Sequence, residues 1–181
     1  MDTYNIKWTR LQSEIIRFLC IRAGTSVNKN AMAEALKVSP TSVSQAVKLL
    51  DKERLVLYSK SPRMNLTSVE LNRERSEAVE LKRVQNLQLI YESGLVKYLN
   101  DTFPGGIIVL FGSYSYGTDT VNSDIDIAVI GSKAKKLDLT TFNKKLERTV
   151  IVQFYDSLSL INKNLRNSLI NGIVLKGVIE L

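Results

Sequence analysis

The chain contains no histidine and a single cysteine, Cys20. Without histidine, His-based catalytic triads and most zinc sites are excluded. One thiol closes no intrachain disulfide, and with no imidazole to activate it Cys20 reads as a small core residue rather than a nucleophile. Acid–base and metal chemistry therefore falls mainly to carboxylates. The sequence also lacks any apolar run approaching the roughly 18 residues of a membrane span. Its opening, MDTYNIKWTRLQSE, is charged where a secretory signal would be apolar. Both absences point to a cytoplasmic protein that does not engage a membrane. Proline is scarce, and each of the three, Pro40, Pro62 and Pro104, falls at a break between patterned segments.

Charge is present in excess but unevenly. Of the net +7 at pH 7, the first 75 residues carry 13 Lys+Arg against 7 Asp+Glu, whereas residues 76–181 carry 12 against 11. A basic excess confined to one part of a chain suggests a nucleic-acid-facing surface there, or else a solvated face without a partner. A length of 181 residues allows one or two small domains.

Apolar residues at helical spacing predict a helix over 8–23, ended by Gly24, a second over 29–36 and a third over 41–53. Pro40 sits where it can open the third helix. Val43, Val47 and Leu50 form the inner face of that helix; Thr41, Ser42, Ser44, Gln45 and Lys48 form the outer one, where they can reach base edges and phosphates. Two short strands follow, 55–59 and 64–69, joined by the basic tip Lys60-Ser61-Pro62-Arg63. Helix, helix, recognition helix and wing in this order resemble the winged-helix domain of MarR-like regulators, over residues 8–72. The resemblance implies DNA as a partner, with Lys60 and Arg63 of the wing adding phosphate contacts. A winged helix used only for protein contacts is the other reading.

Residues 73–100 carry no proline and one glycine, Gly94, and read as one long or two abutting helices. Charged at first and apolar later, they are expected to connect two domains, to cover one face of the sheet that follows and to offer a route to a homodimer. The expected domains are 1–72, a connecting helix 73–103, and 104–181.

The most informative stretch is 107–131, IIVLFGSYSYGTDTVNSDIDIAVIG. Two apolar, β-branched runs bounded by glycine read as buried strands. Residues two apart on a strand share a face, so Asp124 and Asp126 present their carboxylates side by side. Such a pair repels itself unless a cation intervenes, and oxygen ligands suit Mg²⁺, which completes its shell with phosphate oxygens and water. Gly112 permits close backbone approach, and a short helix beginning near Ser113 would offer N–H groups to a phosphate. Ser113 as an ordinary N-cap and Asp124 as an exposed loop-end residue is the alternative for each motif taken singly.

The ordered combination of strand, Gly-Ser, spacer and Asp-x-Asp within a second strand resembles the DNA polymerase β-like nucleotidyltransferase superfamily, in particular its minimal nucleotidyltransferases, over residues 104–181. The resemblance implies a small α/β fold with a mixed sheet, a nucleoside triphosphate and Mg²⁺ or Mn²⁺, with Asp124 and Asp126 as the catalytic metal pair. Gly112 and Ser113 would hold the phosphates, and Ser115, Tyr116 and Gly117 would line the nucleotide pocket. It also implies transfer of a nucleoside monophosphate to a protein or nucleic-acid hydroxyl, in some members on a separately encoded helical toxin. Family members carry a third carboxylate on the strand placed here at 149–155, TVIVQFY, and this strand has none. Gln153 is the nearest substitute, with Asp156 just beyond the strand and Glu147 before it as further candidates. A weak or inactive domain that senses nucleotide or binds a partner for a transcription regulator is the alternative this departure leaves open. The predicted β-α-β-α-β-α-β order suits a sheet with helices on one side.

Overall fold

The computed structural model describes residues 8–61 and 66–179, and Arg63 and the tip of the predicted wing lie outside the described residues. The chain divides into two compact units, Met1–Val79 and Glu80–Leu181.

The first unit is built on helices whose starts are written in the sequence. Thr9 and Gln12 form a reciprocal capping box at the start of α1 (Arg10–Ile21). A two-residue strand, β1 (Val27–Asn28), leads into α2 (Lys29–Ala35), capped by Asn28. Ser39 caps α3 (Pro40–Lys52), and Pro40 occupies its first turn, where a missing N–H does no harm. The strands β2 (Val56–Ser61) and β3 (Leu66–Leu71) pair antiparallel, Val56 opposite Leu71 and Ser61 opposite Leu66, and β1 adds to the far side of β3. Ile15, Ile16 and Leu19 of α1, Val43, Val47 and Leu50 of α3, and Val56, Val69 and Leu71 of the sheet are buried together with Cys20. This is a winged helix. Only β1 was not anticipated, being too short to carry a pattern.

The predicted helical stretch 73–100 is two helices, α4 (Ser76–Ser93) and α5 (Leu95–Thr102). Gly94, at φ +84°, makes the break, a left-handed conformation that glycine adopts without strain. The segment expected as a connector is itself divided: up to Val79 it clusters with the first unit, and from Glu80 with the second.

In the second unit β4 (Ile107–Phe111) runs into α6 (Gly112–Tyr116), followed by β5 (Ile125–Ile130), α7 (Thr140–Leu146), β6 (Val150–Tyr155), a short 3-10 turn (Leu158–Leu160), α8 (Lys163–Ile170) and β7 (Ile173–Lys176). The sheet order is β6-β5-β4-β7, and it is mixed: β5 and β6 are parallel, the other pairs antiparallel. Helices cover both faces, the second being supplied, as expected, by the predicted helical stretch 73–100 through α5. Val109, Phe111, Ala128 and Ile130 pack against Ile161 and Leu169 on the α8 side. On the other face Phe103, at the end of α5, meets Phe154 at 5.3 Å between ring centres. A sheet of four apolar strands with both faces buried needs two covering layers, and α5 and α8 supply them. The helix between β6 and β7 starts only at Lys163, where Asn162 caps it. No helix among the described residues is long and apolar enough to cross a membrane.

One polar cluster lies inside this unit. Lys82 and Asp119 are wholly buried and meet at 2.5 Å. Asn86 donates to Asp119 and to the Tyr114 carbonyl, and the Arg148 guanidinium approaches the other Asp119 oxygen at 4.0 Å. Removing one member of such a pair strands a charge in a low dielectric. We expect Lys82→Met to lose about 3–5 kcal/mol of unfolding free energy, and Lys82→Met with Asp119→Asn to recover most of it. Urea denaturation of both variants checks this, and a single-variant loss below about 1 kcal/mol, the range of exposed pairs, would contradict a buried ion pair here.

Candidate active site

The site forms where β4 ends. Phe111 is opposite Asp126 in the antiparallel β4–β5 pair, so the corner that follows Phe111 lands on the Asp126 side chain. Gly112 has φ +73°, and a Cβ added to it would sit 2.6 Å from Asp126 Oδ2. The carboxylate thus occupies the space that any other residue at position 112 would fill. Asp124 stands just before β5 and is exposed; Asp126 is half-buried. Burial raises the Asp126 pKa above the usual carboxylate range, and the neighbouring Asp124 charge raises it further. Among the described residues neither carboxylate has a lysine or arginine partner. Two adjacent oxygen donors, uncompensated and pressed against a glycine corner, fit a divalent cation of the Mg²⁺ or Mn²⁺ kind, which takes one or two carboxylates and fills its shell with other oxygens.

Of the expected phosphate-holding corner, Ser113 is half-exposed and follows Gly112 on α6, whose first turn no side chain caps. Its N–H groups are left for an external acceptor. Tyr116 is exposed, as a pocket-lining residue must be. Ser115 is not so placed. It is 1% exposed and its hydroxyl donates to the Gly112 carbonyl at 2.8 Å, which braces the corner instead of presenting a donor to a ligand. Gly117, at φ +75° and buried, ends α6 and shapes the loop.

β6 carries the position that a third carboxylate would take. Its register pairs Ile151 with Asp126, Gln153 with Ala128 and Tyr155 with Ile130. Gln153 thus shares the face of Asp126, but the row beside Asp126 holds Ile151, and Gln153 stands two residues further along. The Tyr155 hydroxyl donates to the Gln153 side-chain carbonyl, and burial together with the Asp126 charge raises the Tyr155 pKa. Asp156 does not reach the site. It follows Tyr155, five residues beyond Ile151, or about 16 Å at the usual strand rise of roughly 3.3 Å per residue. No group of three acidic side chains able to hold one ion exists among the described residues.

Sequence reading missed the residues that fix the corner from behind, Lys82, Asn86, Asp119 and Arg148. The available signal was the spacing Ala78, Lys82, Asn86, Ile90 along α4, a single buried helical stripe with two polar members.

In the first unit, the outward face of α3 carries Thr41, Gln45 and Lys48, all exposed, with Ser44 half-buried, and Lys60 is exposed on β2. Ser42 is partly committed: its N–H and hydroxyl both bond to the capping Ser39.

Residues 92–176 match the nucleotidyltransferase domain family. That range holds the whole acid pair and the glycine corner. Over 47 residues the chain is 49% identical to the protein adenylyltransferase MntA of Shewanella oneidensis, a match covering 25% of this chain and 34%, about a third, of that relative. Among solved structures, the adhesin competence repressor AdcR of Streptococcus pyogenes aligns at TM-score 0.42 and 20% identity, over 56% of this chain and 71% of its own. A variant of Lactococcus lactis ZitR in complex with DNA aligns at TM-score 0.41 and 21% identity, over 57% of this chain and 68% of its own.

The raised Asp126 pKa has a consequence for stability. A carboxyl group that binds its proton more tightly in the folded protein than in the unfolded one makes folding less favourable as pH rises from the ordinary carboxylate range through the raised value. In the metal-free protein, Asp126→Asn should therefore raise Tm at neutral pH. The gain should shrink as the pH falls below about 4, the unfolded carboxylate range. Thermal melts across pH in chelator check it, and a pH-independent gain would refute the titration as its cause.

Proposed function

We propose that this is a DNA-binding protein whose second unit binds a Mg²⁺- or Mn²⁺-bound nucleoside triphosphate and transfers its nucleoside monophosphate to a hydroxyl group. The observation that carries the reading is the Asp124–Asp126 pair held without a basic partner against the Gly112 corner. On this reading Asp124 and Asp126 hold the cation, and Gly112 and Ser113 hold the outer phosphates through backbone N–H groups and the Ser113 hydroxyl. Tyr116 lies against the nucleoside. The bound cation supplies charge neutralisation at the phosphates; the chain's part is to place phosphate and acceptor in line. The short stretch of identity to a protein adenylyltransferase supports a protein hydroxyl as acceptor, such as one on a separately encoded helical toxin. Self-association through α4 belongs to the same reading, since Val84 and Tyr91, two turns apart, both stand exposed.

A second reading has its own observation. The row beside Asp126 ends in Ile151, and the neutral Gln153 is engaged by Tyr155. A neutral amide accepts no proton in the pH range where a carboxylate would. The unit would then bind nucleotide without transfer and serve the winged helix as a sensor.

Incubation with α-labelled triphosphates and Mg²⁺ separates the two. Transfer predicts pyrophosphate release and labelled acceptor, both lost when Asp124→Ala and Asp126→Ala are combined. The sensor predicts nucleotide binding, lost in the same double variant, without turnover. If neither appears, both readings fail.

For the first unit, the exposed row Thr41, Gln45 and Lys48 with Lys60 supports groove docking and phosphate contact. Neutralised phosphates release counterions, so affinity for duplex DNA should fall about 10³-fold or more between 50 and 200 mM salt if about six phosphates are engaged. Lys48→Ala and Lys60→Ala should each flatten that slope by about one unit. A salt-independent affinity, read by fluorescence anisotropy, would exclude this use of the unit.

A further inference from the structure

A cavity of about 480 Å³ opens between the loop 121–124 and the turn that joins α7 to β6. Asp124 lines it from one side and Glu147 from the other, with Asn122, Lys144, Arg148 and Thr149 completing the walls used here. It is thus contiguous with the acid pair. Its volume falls within the roughly 300–1,000 Å³ of small-ligand sites. No aromatic side chain lines it, so it offers a nucleobase no stacking surface. Hydrogen-bonding and charged groups of both signs make up most of the wall.

Glu147 is held there against its conformational preference. It ends α7 at φ 51° and ψ 35°, the left-handed region where glycine is usual. Its carbonyl accepts from the Arg148 guanidinium at 2.8 Å, and the Arg148 N–H donates to the Asn143 carbonyl at 3.2 Å. The Asn143 side chain accepts from the Val150 N–H at 3.0 Å, fixing the exit of the same turn. Arg148 is itself buried beside Asp119. The carboxylate that β6 lacks is therefore matched by one on the turn preceding β6, whose backbone these bonds fix and whose side chain lines the same cavity as Asp124.

We propose that this cavity receives the acceptor, a serine, threonine or tyrosine side chain of a polypeptide, and that Glu147 is the general base for its hydroxyl. The proposal rests on the nucleotide-transfer reading above. A nucleic-acid acceptor fits less well, because its phosphates would meet Asp124 and Glu147 with Lys144 to offset them, Arg148 being drawn into the buried cluster. A peptide brings backbone N–H and C=O groups that suit the amides of Asn122 and Asn143. In the step, the acceptor O–H gives its proton to the Glu147 carboxylate and its oxygen bonds to the α-phosphorus of the nucleoside triphosphate. The bond from that phosphorus to the bridging oxygen breaks, and pyrophosphate leaves with the electron pair. The proton passes from Glu147 to solvent.

The test uses the full chain, α-labelled ATP and Mg²⁺, with two acceptor pools: a nuclease-treated cell extract and protein-free nucleic acid. Label on protein is expected. Glu147→Gln should lower that labelling 100-fold or more, the usual worth of a positioned base, while ATP affinity, read by equilibrium dialysis, changes less than twofold. Thr149→Trp, which fills the cavity, should likewise block labelling and spare ATP binding. Label confined to nucleic acid, or Glu147→Gln labelling at the unaltered rate, overturns the proposal. ATP binding that depends on Asp124 and Asp126 without any label overturns it too, while leaving nucleotide binding intact. Loss of ATP binding in the unaltered chain instead removes the underlying reading.

Discussion

The second unit depends on a steric constraint at one atom. With a side chain at position 112, a methylene carbon would lie 2.6 Å from an Asp126 oxygen, well inside contact distance. Glycine there lets β4 turn into α6 directly over the carboxylate, in a left-handed conformation open to it. The antiparallel register of β4 and β5 then dictates that the corner meets Asp126 and not another row. Closeness to the backbone partly desolvates Asp126, and Asp124 adds like charge. The corner therefore gathers like charge in a partly desolvated space, so the same contact that shapes the fold sets the electrostatics of the site.

A corner so placed must be kept from drifting, since the loop between Gly117 and Asp124 has little apolar content of its own. The buried Lys82–Asp119 pair does that work from the α4 side, and Asn86 reaches both the loop and the end of α6 through the Tyr114 carbonyl. Buried ion pairs give little net stability over apolar packing, but they tolerate few alternative geometries. Here the intolerance is useful. One carboxylate, Asp119, is tied to a lysine, while among the described residues the other two in the same segment have none.

Much of this was legible because strand and helix patterns are local. The runs at 107–111 and 125–130, the Gly-Ser corner and the Asp-x-Asp alternation each span a few residues, and the three helices and hairpin of the first unit announce themselves by apolar spacing, Gly24 and Pro40. What escaped depends on distant partners. Asp119 in TDTVNSD looks like any polar loop residue, since Lys82, which explains it, lies far earlier in the chain. Ser115 looked like a ligand donor because a hydroxyl beside a glycine corner can face either way, and only the closed turn shows it bonded to Gly112. Alternation puts Ile151, Gln153 and Tyr155 on one face of β6, but period two leaves open which row stands beside Asp126. Gln153 was the nearest chemical substitute for a carboxylate, and only the register shows Ile151 in the row of Asp126. Asp156 was excluded for the same reason, once β5 and β6 proved parallel and its end of β6 proved remote.

That parallel pairing also explains why an acidic residue before β6 can take over from one within it. A parallel neighbour is reached only by a crossover that returns the chain to the end where the first strand began. Here α7 makes the return, and the residues that finish it must arrive beside those that precede β5. The Ile125 N–H donating to the Thr149 carbonyl at 2.8 Å marks the arrival. Topology thus sets 147–149 next to Asp124 whatever the side chains, and a carboxylate on that turn approaches the acid pair from the strand ends instead of along the sheet. From that direction it shares a solvent-open cavity with Asp124 in place of the partly buried row of Asp126. A base so placed is better exposed to a bulky acceptor than one embedded in β6 would be.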